Sequence, residues 1–187
     1  MLITSMIIYL DMDGVLADFD RGAKAFGFDT TTLNHSRSEL NQQSIAIKET
    51  LYDAIAFTEF YAELPFMPDG LELWNALRGY RPFILTGLPS FRHRVDAKAA
   101  HEDAGEKKRQ WCRKYLGLHD QERVICTLSW KKKSYVGHHG PAEYALLIDD
   151  RERNITEWKE AGGVGLLHRS TSKTLEELQL LLGSFNS

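Results

Sequence analysis

Four carboxylates placed directly after two short apolar runs pose the chemical question for this 187-residue chain. The run 6–10 leads into Asp11-Met12-Asp13-Gly14, and the run 145–148 leads into Asp149-Asp150. Carboxylates gathered closely repel one another, and they stay ionised together mainly when a cation sits among them. Oxygen donors without a cysteine or histidine ligand spacing favour Mg²⁺, which keeps several waters and takes one or two carboxylates plus a phosphate oxygen. Asp11, at the end of its run, is then placed to attack phosphorus in line, so that one hard displacement becomes two easier ones through an acyl phosphate. Asp13, two residues on, can protonate the departing alkoxide and later deprotonate the hydrolytic water. Gly14 allows a tight turn and lets backbone N–H groups approach a phosphate. A third run, 82–85, ends in Thr86-Gly87, whose hydroxyl and N–H can donate to a phosphate oxygen; the pattern predicts a helix N-terminus, itself an anion site, immediately after them. A cation that neutralises charge on the transferred phosphoryl group is available from Lys131, Lys132 or Lys133, which follow the run 124–127, and residue type alone does not separate the three.

The elements that must position these groups are legible from periodicity. Apolar, β-branched runs at 6–10, 82–85, 124–127, 145–148 and 164–167 alternate with helical patterns, which implies right-handed βαβ units and a parallel sheet covered on both faces. In such a sheet the carboxyl ends of the strands line one crevice, where ligands bind. Asp69 is expected to begin a helix with Leu73, Trp74 and Leu77 on one face, and 151–161 to form a crossover helix with Ile155 and Trp158 inward. The stretch 18–66 has helical periodicity, no convincing strand, and too many residues for a simple crossover. The expected organisation is therefore an α/β doubly wound core over 1–17 and 67–187, with a small helical cap over 18–66. A second helical stretch, 90–116, carries a polar interruption around Ala104 and Gly105.

Composition narrows the partners. A formal charge of -3 provides no basic field of the kind that attracts duplex nucleic acid. The run 6–10 is too short for a signal h-region or a membrane span, so a cytoplasmic protein with no membrane association is expected. Residues 1–5, ahead of a second methionine, read as a dispensable leader. Two cysteines, Cys112 and Cys126, fit neither a disulfide framework nor a zinc site.

Taken in order, Asp11-Met12-Asp13-Gly14-Val15-Leu16-Ala17-Asp18, Leu85-Thr86-Gly87, the Lys131–Lys133 run and Leu147-Ile148-Asp149-Asp150-Arg151 resemble the four motifs of the haloacid dehalogenase superfamily of phosphohydrolases. The resemblance implies Asp11 as nucleophile, Asp13 as acid/base and Thr86 as the phosphate-binding hydroxyl. It further implies one lysine of the run, and Asp149 with Asp150 as metal carboxylates beside the main-chain carbonyl of Asp13. The first motif, the Phe60-Tyr61 pair before Glu63-Leu64 and the Ile148–Arg151 end are similar to the 5'(3')-deoxyribonucleotidase branch. That branch implies Lys132, three residues before Tyr135, as the active-site lysine. Its implied substrate is a deoxynucleoside monophosphate, its cofactor Mg²⁺, and its oligomeric state, by analogy only, a homodimer. The stretch 137–143 and the Leu88-Pro89 sequel to the threonine depart from that branch. Phe57, Phe60 and Tyr61 are candidates for a base-stacking platform on the cap, although aromatics at this spacing also suit a core. Two other readings are a phosphatase of nucleic-acid 3'-phosphates or non-nucleotide metabolites, and a binding module that keeps the fold without turnover.

Overall fold

The computed structural model describes residues 6–30 and 42–185; the leader expected at 1–5 lies outside them. In chain order the main elements are β1 (Ile7–Leu10), α1 (Phe19–Ala25), α2 (Gln42–Ile55), α3 (Gly70–Leu77), β2 (Phe83–Leu88), α4 (Ala97–Leu116), β3 (Val124–Leu128), β4 (Ala145–Asp149), α5 (Glu152–Glu160), β5 (Val164–Leu167) and α6 (Thr171–Phe185). They fall into two compact units, one of Met1–Ala17, Phe66–Gly87 and Glu122–Ser187, the other of Asp18–Pro65 and Leu88–Gln121.

The first unit is built on a five-stranded parallel sheet of order β3-β2-β1-β4-β5. All five predicted runs form its strands. Every residue of β4 is buried, so both faces of this strand are covered, as its unbroken apolar composition requires. Tyr9, Leu85, Leu147, Ile155 and Trp158 form one core cluster, and the Trp158 indole N–H donates to the Ala145 carbonyl at 3.0 Å. Ile155 and Trp158, three apart, turn the buried stripe of α5 toward the sheet. Gly163 makes room for this tryptophan, since a Cβ there would lie 2.6 Å from the indole Cδ1.

Asp69 stands at the expected start of α3 but makes no capping bond to it. Its carboxylate instead accepts the Thr171 N–H at 2.7 Å, which satisfies an open donor in the first turn of α6, a helix that the strand-helix pattern does not predict. This bond also holds the Asp69 carboxyl below its ordinary range.

The second unit contains α1, α2, α4 and a 3-10 turn at Phe60–Ala62. The buried face of α4 repeats at three- and four-residue spacing through Ala100, Ala104, Lys108, Trp111 and Cys112, and Trp111 donates its indole N–H to Leu64 O at 2.8 Å. Residues 88–121, which fall in the expected core range, therefore pack with 18–65. The helix runs unbroken through Ala104 and Gly105, both buried, and ends at Gly117 in the left-handed conformation. Cys112 is buried and Cys126 half-buried, and neither forms a disulfide among the described residues. Among the described residues no helix is long and apolar enough to cross a membrane.

Candidate active site

The sheet register brings the two acidic strand ends together. Leu10 pairs with Ile148, and the next N–H, that of Asp11, donates to the Ile148 carbonyl at 2.9 Å, which sets Asp11 beside Asp149 at the carboxyl edge. Both side chains are buried. The Asp11 Oδ1 accepts the Met12 N–H at 2.7 Å, so its other oxygen, Oδ2, faces the remaining groups.

Lys132 supplies the cation. It lies on a 3-10 turn, Ser129–Tyr135, that leaves the end of β3, and its Nζ is 2.7 Å from Asp11 Oδ2 and 2.7 Å from Asp149 Oδ2. Its neighbours turn away: Lys131 lies over the Trp130 ring and Lys133 reaches Glu157 at 3.6 Å. Three consecutive residues of a 3-10 turn point in three directions, so only one of them can enter the site.

Asp149 and Asp150 divide their duties. Asp149 accepts from Lys132, from the Arg151 N–H at 2.9 Å and from the Asn154 amide at 3.0 and 2.9 Å. Asp150 Oδ1, by contrast, is buried with no hydrogen-bond donor among the described residues. Its carboxylate is seated against Gly14, which has φ +78 and whose Cβ, if present, would lie 2.5 Å from Asp150 Oδ2. Glycine is thus required twice there, by backbone conformation and by space. Asp11, Asp149 and Asp150 offer oxygens that all lie within 4.8 Å of one another, a cluster that could bind a metal ion. Asp13 lies on the same turn, bridged to Ala17, and its charge pushes the titration of Asp11 and Asp150 upward.

Thr86 is fully buried near the end of β2. The strand continues through Gly87 to Leu88, and α4 begins only at Ala97, so the expected helix N-terminus is not there. Leu88 precedes Pro89, which disfavours helical backbone and keeps the chain extended. The polar groups at this strand end are therefore the Thr86 hydroxyl and the Gly87 N–H. Asn154 was not among the expected residues; the only trace in the sequence is its place in the first turn of α5, five positions after Asp149. Arg169 is a second addition, donating from Nη1 to the Asp150 carbonyl at 3.2 Å.

The candidate stacking residues belong to the second unit, and two of them lie in its interior. Phe60 and Tyr61 are 4% and 3% exposed. The Phe60 ring meets those of Phe19, Phe26 and Tyr61 edge-on, and the Lys108 ammonium lies 4.7 Å over Tyr61. They are core side chains because each ring is consumed by its neighbours; Phe57, half exposed with Arg94 above it, is the exception.

Burial raises the Asp11 carboxyl to about 8 against the pull of Lys132, with Asp149, Asp150 and Asp13 adding to the rise. Burial and the neighbouring Asp149 raise Asp150 to about 6. For Asp149 burial acts in the same direction, but Lys132, the Arg151 N–H and Asn154 outweigh it and hold the carboxyl low. Burial opposes the charge of Lys132, and Asp11 and Asp149 overcome it, raising its pKa. Acids whose folded pKa exceeds the ordinary value of about 4 stabilise the fold at low pH and lose that contribution as pH rises. Metal-free protein is accordingly expected to melt at falling temperatures as pH rises from about 4 through 6 and 8, the folded values of Asp150 and Asp11. A dication among the carboxylates favours their charged forms, so added Mg²⁺ should flatten the profile; thermal melts with and without Mg²⁺ across this range check both expectations.

No protein-family model and no curated protein matches the chain. Solved structures do. A haloacid dehalogenase-like family hydrolase from Streptococcus pneumoniae is similar over 86% of this chain and 83% of its own, with 17% identity and a TM-score of 0.51. The L-2-haloacid dehalogenase of Xanthobacter autotrophicus is similar over 87% and 76%, with 12% identity and a TM-score of 0.53. The fold is haloacid dehalogenase-like. At these identities the likeness speaks for architecture alone.

Proposed function

We propose that the chain is a Mg²⁺-dependent phosphatase that hydrolyses small phosphate monoesters through an aspartyl phosphate on Asp11, with deoxynucleoside monophosphates as the first substrate class to test. The observation that carries this reading is one buried ammonium, Lys132, 2.7 Å from both Asp11 and Asp149, beside an Asp150 oxygen that has no donor among the described residues. A single lysine among so many carboxylates leaves negative charge uncompensated, and a hard dication fits the all-oxygen donor set. Asp11, Asp149, Asp150 and the main-chain carbonyl of Asp13 would hold it, with Asp149 oriented by Lys132 and Asn154. When bound, the ion supplies charge neutralisation and orientation for a phosphate oxygen.

In the first step an Asp11 carboxylate oxygen bonds to phosphorus, the ester P–O bond breaks, and Asp13 gives a proton to the departing alkoxide. In the second step Asp13 takes a proton from water, whose oxygen attacks phosphorus and frees Asp11 with release of phosphate. Lys132 balances the charge on the phosphoryl oxygens, and Thr86 and Gly87 orient them. The nucleotide preference rests on resemblance alone, since Phe60 and Tyr61 are enclosed in the second unit.

A phosphate-release screen over nucleoside monophosphates, sugar phosphates and 3'-phosphorylated oligonucleotides, with Mg²⁺ and with EDTA, tests the proposal. Deoxynucleotides as the best substrates and no release in EDTA are expected. A different best substrate moves the leaving group; no release from any class with Mg²⁺ favours a binding module. Asn154→Ala, which removes the amide donor to both Asp149 oxygens, should raise the Mg²⁺ concentration for half-activity about 10- to 100-fold. An unchanged Mg²⁺ titration would remove Asn154 from this role.

A further inference from the structure

We propose that Ser129 is a further phosphate-binding residue, its hydroxyl donating to a phosphoryl oxygen alongside Thr86 and Lys132; this rests on the phosphatase reading above. Ser129 opens the 3-10 turn that carries Lys132, at the carboxyl end of β3, the strand next to β2 in the sheet. Side chains three residues apart in such a turn eclipse one another. Ser129 and Lys132 therefore share one side, and on that side Lys132 reaches Asp11 and Asp149.

A second contact places the hydroxyl independently. A Cβ on Gly87 would lie 2.7 Å from Ser129 Oγ and 3.9 Å from Ser129 Cβ, so the hydroxyl rests against the glycine that follows Thr86. Glycine at 87 is what leaves this hydroxyl its place. Ser129 is half-buried, and its Oγ makes no hydrogen bond with any described residue. A hydroxyl is one donor that rotates to suit its acceptor. Here it stands between the Thr86-Gly87 strand end and the lysine turn, with no acceptor among the described residues. The chemical class that fits is a tetrahedral oxyanion, which has more oxygens than Thr86, the Gly87 N–H and Lys132 fill singly.

The test uses the full chain with Mg²⁺ and inorganic phosphate as the probe, measured by calorimetry. Ser129→Ala should bind phosphate about 10- to 100-fold more weakly, the range for a hydrogen bond to a charged acceptor, with an unchanged melting temperature. Gly87→Ala should weaken binding by displacing the hydroxyl, and the Gly87→Ala/Ser129→Ala double variant should be no weaker than Ser129→Ala, because the crowded oxygen is gone. Parental phosphate affinity in Ser129→Ala, or losses that multiply in the double variant, would overturn the assignment and leave the phosphatase reading standing. A parent chain that binds no phosphate and releases none from any monoester would overturn both.

Discussion

Asp11→Asn is expected to lose phosphate release by on the order of 10⁴-fold or more while remaining as well folded as the parent. The amide keeps the size and shape of the carboxylate but cannot form the acyl phosphate, so binding survives where turnover does not. Stability should hold for an electrostatic reason. The Asp11 charge is disfavoured by burial and by Asp149, Asp150 and Asp13, and Lys132 keeps Asp149 at 2.7 Å when Asp11 becomes neutral. In metal-free protein the variant should therefore match or exceed the parent's melting temperature at pH 8, near which the parent's Asp11 gives up its proton. Single-turnover phosphate release and a thermal melt in EDTA give the two readouts. Turnover within a factor of ten of the parent would take the nucleophile's role away from Asp11.

Lys132→Met should fail in both respects. Its ammonium is enclosed between two buried carboxylates, and deleting one partner of a buried ionic cluster leaves charge uncompensated at about 3–5 kcal/mol. The lost cation should also reduce turnover on the order of 10²- to 10³-fold, as removal of a preorganised charge does elsewhere. Lys131→Met and Lys133→Met serve as comparisons: one ammonium lies over an exposed indole and the other makes a long ion pair, so each should alter stability by no more than about 0.5 kcal/mol. Adding Asp11→Asn to Lys132→Met should recover part of the stability, since one of the stranded charges is then removed. Urea denaturation of the four variants measures the set. Three lysine variants of equal stability and activity would show that Lys132 has no special place.

The two expectations differ in sign for one reason. Asp11 is a charge that burial and its acidic neighbours oppose; Lys132 is the charge that makes it tolerable. Removing the first relieves the site and removing the second exposes it.

Strands, crossover helix and acidic strand ends were readable because each is a local pattern. An apolar run of four or five residues bounded by polar ones encodes a buried parallel strand wherever it occurs, and a residue just past such a run sits at the carboxyl edge by construction. That was enough to anticipate the α/β sheet and to bring Asp11, Asp13, Thr86, Asp149 and Asp150 to one edge of it. Tertiary packing decided everything that depends on the direction of a side chain or on a partner far along the chain. It chose Lys132 from three neighbours of identical composition, gave Asp149 the amide of Asn154, turned the Asp69 carboxylate from its own helix to α6, and joined α4 to residues 18–65 through Trp111. It also enclosed Phe60 and Tyr61, whose spacing alone is compatible with a platform or a core. Periodicity records which face of an element is apolar, whereas which group meets that face is set only when segments a hundred residues apart close on one another.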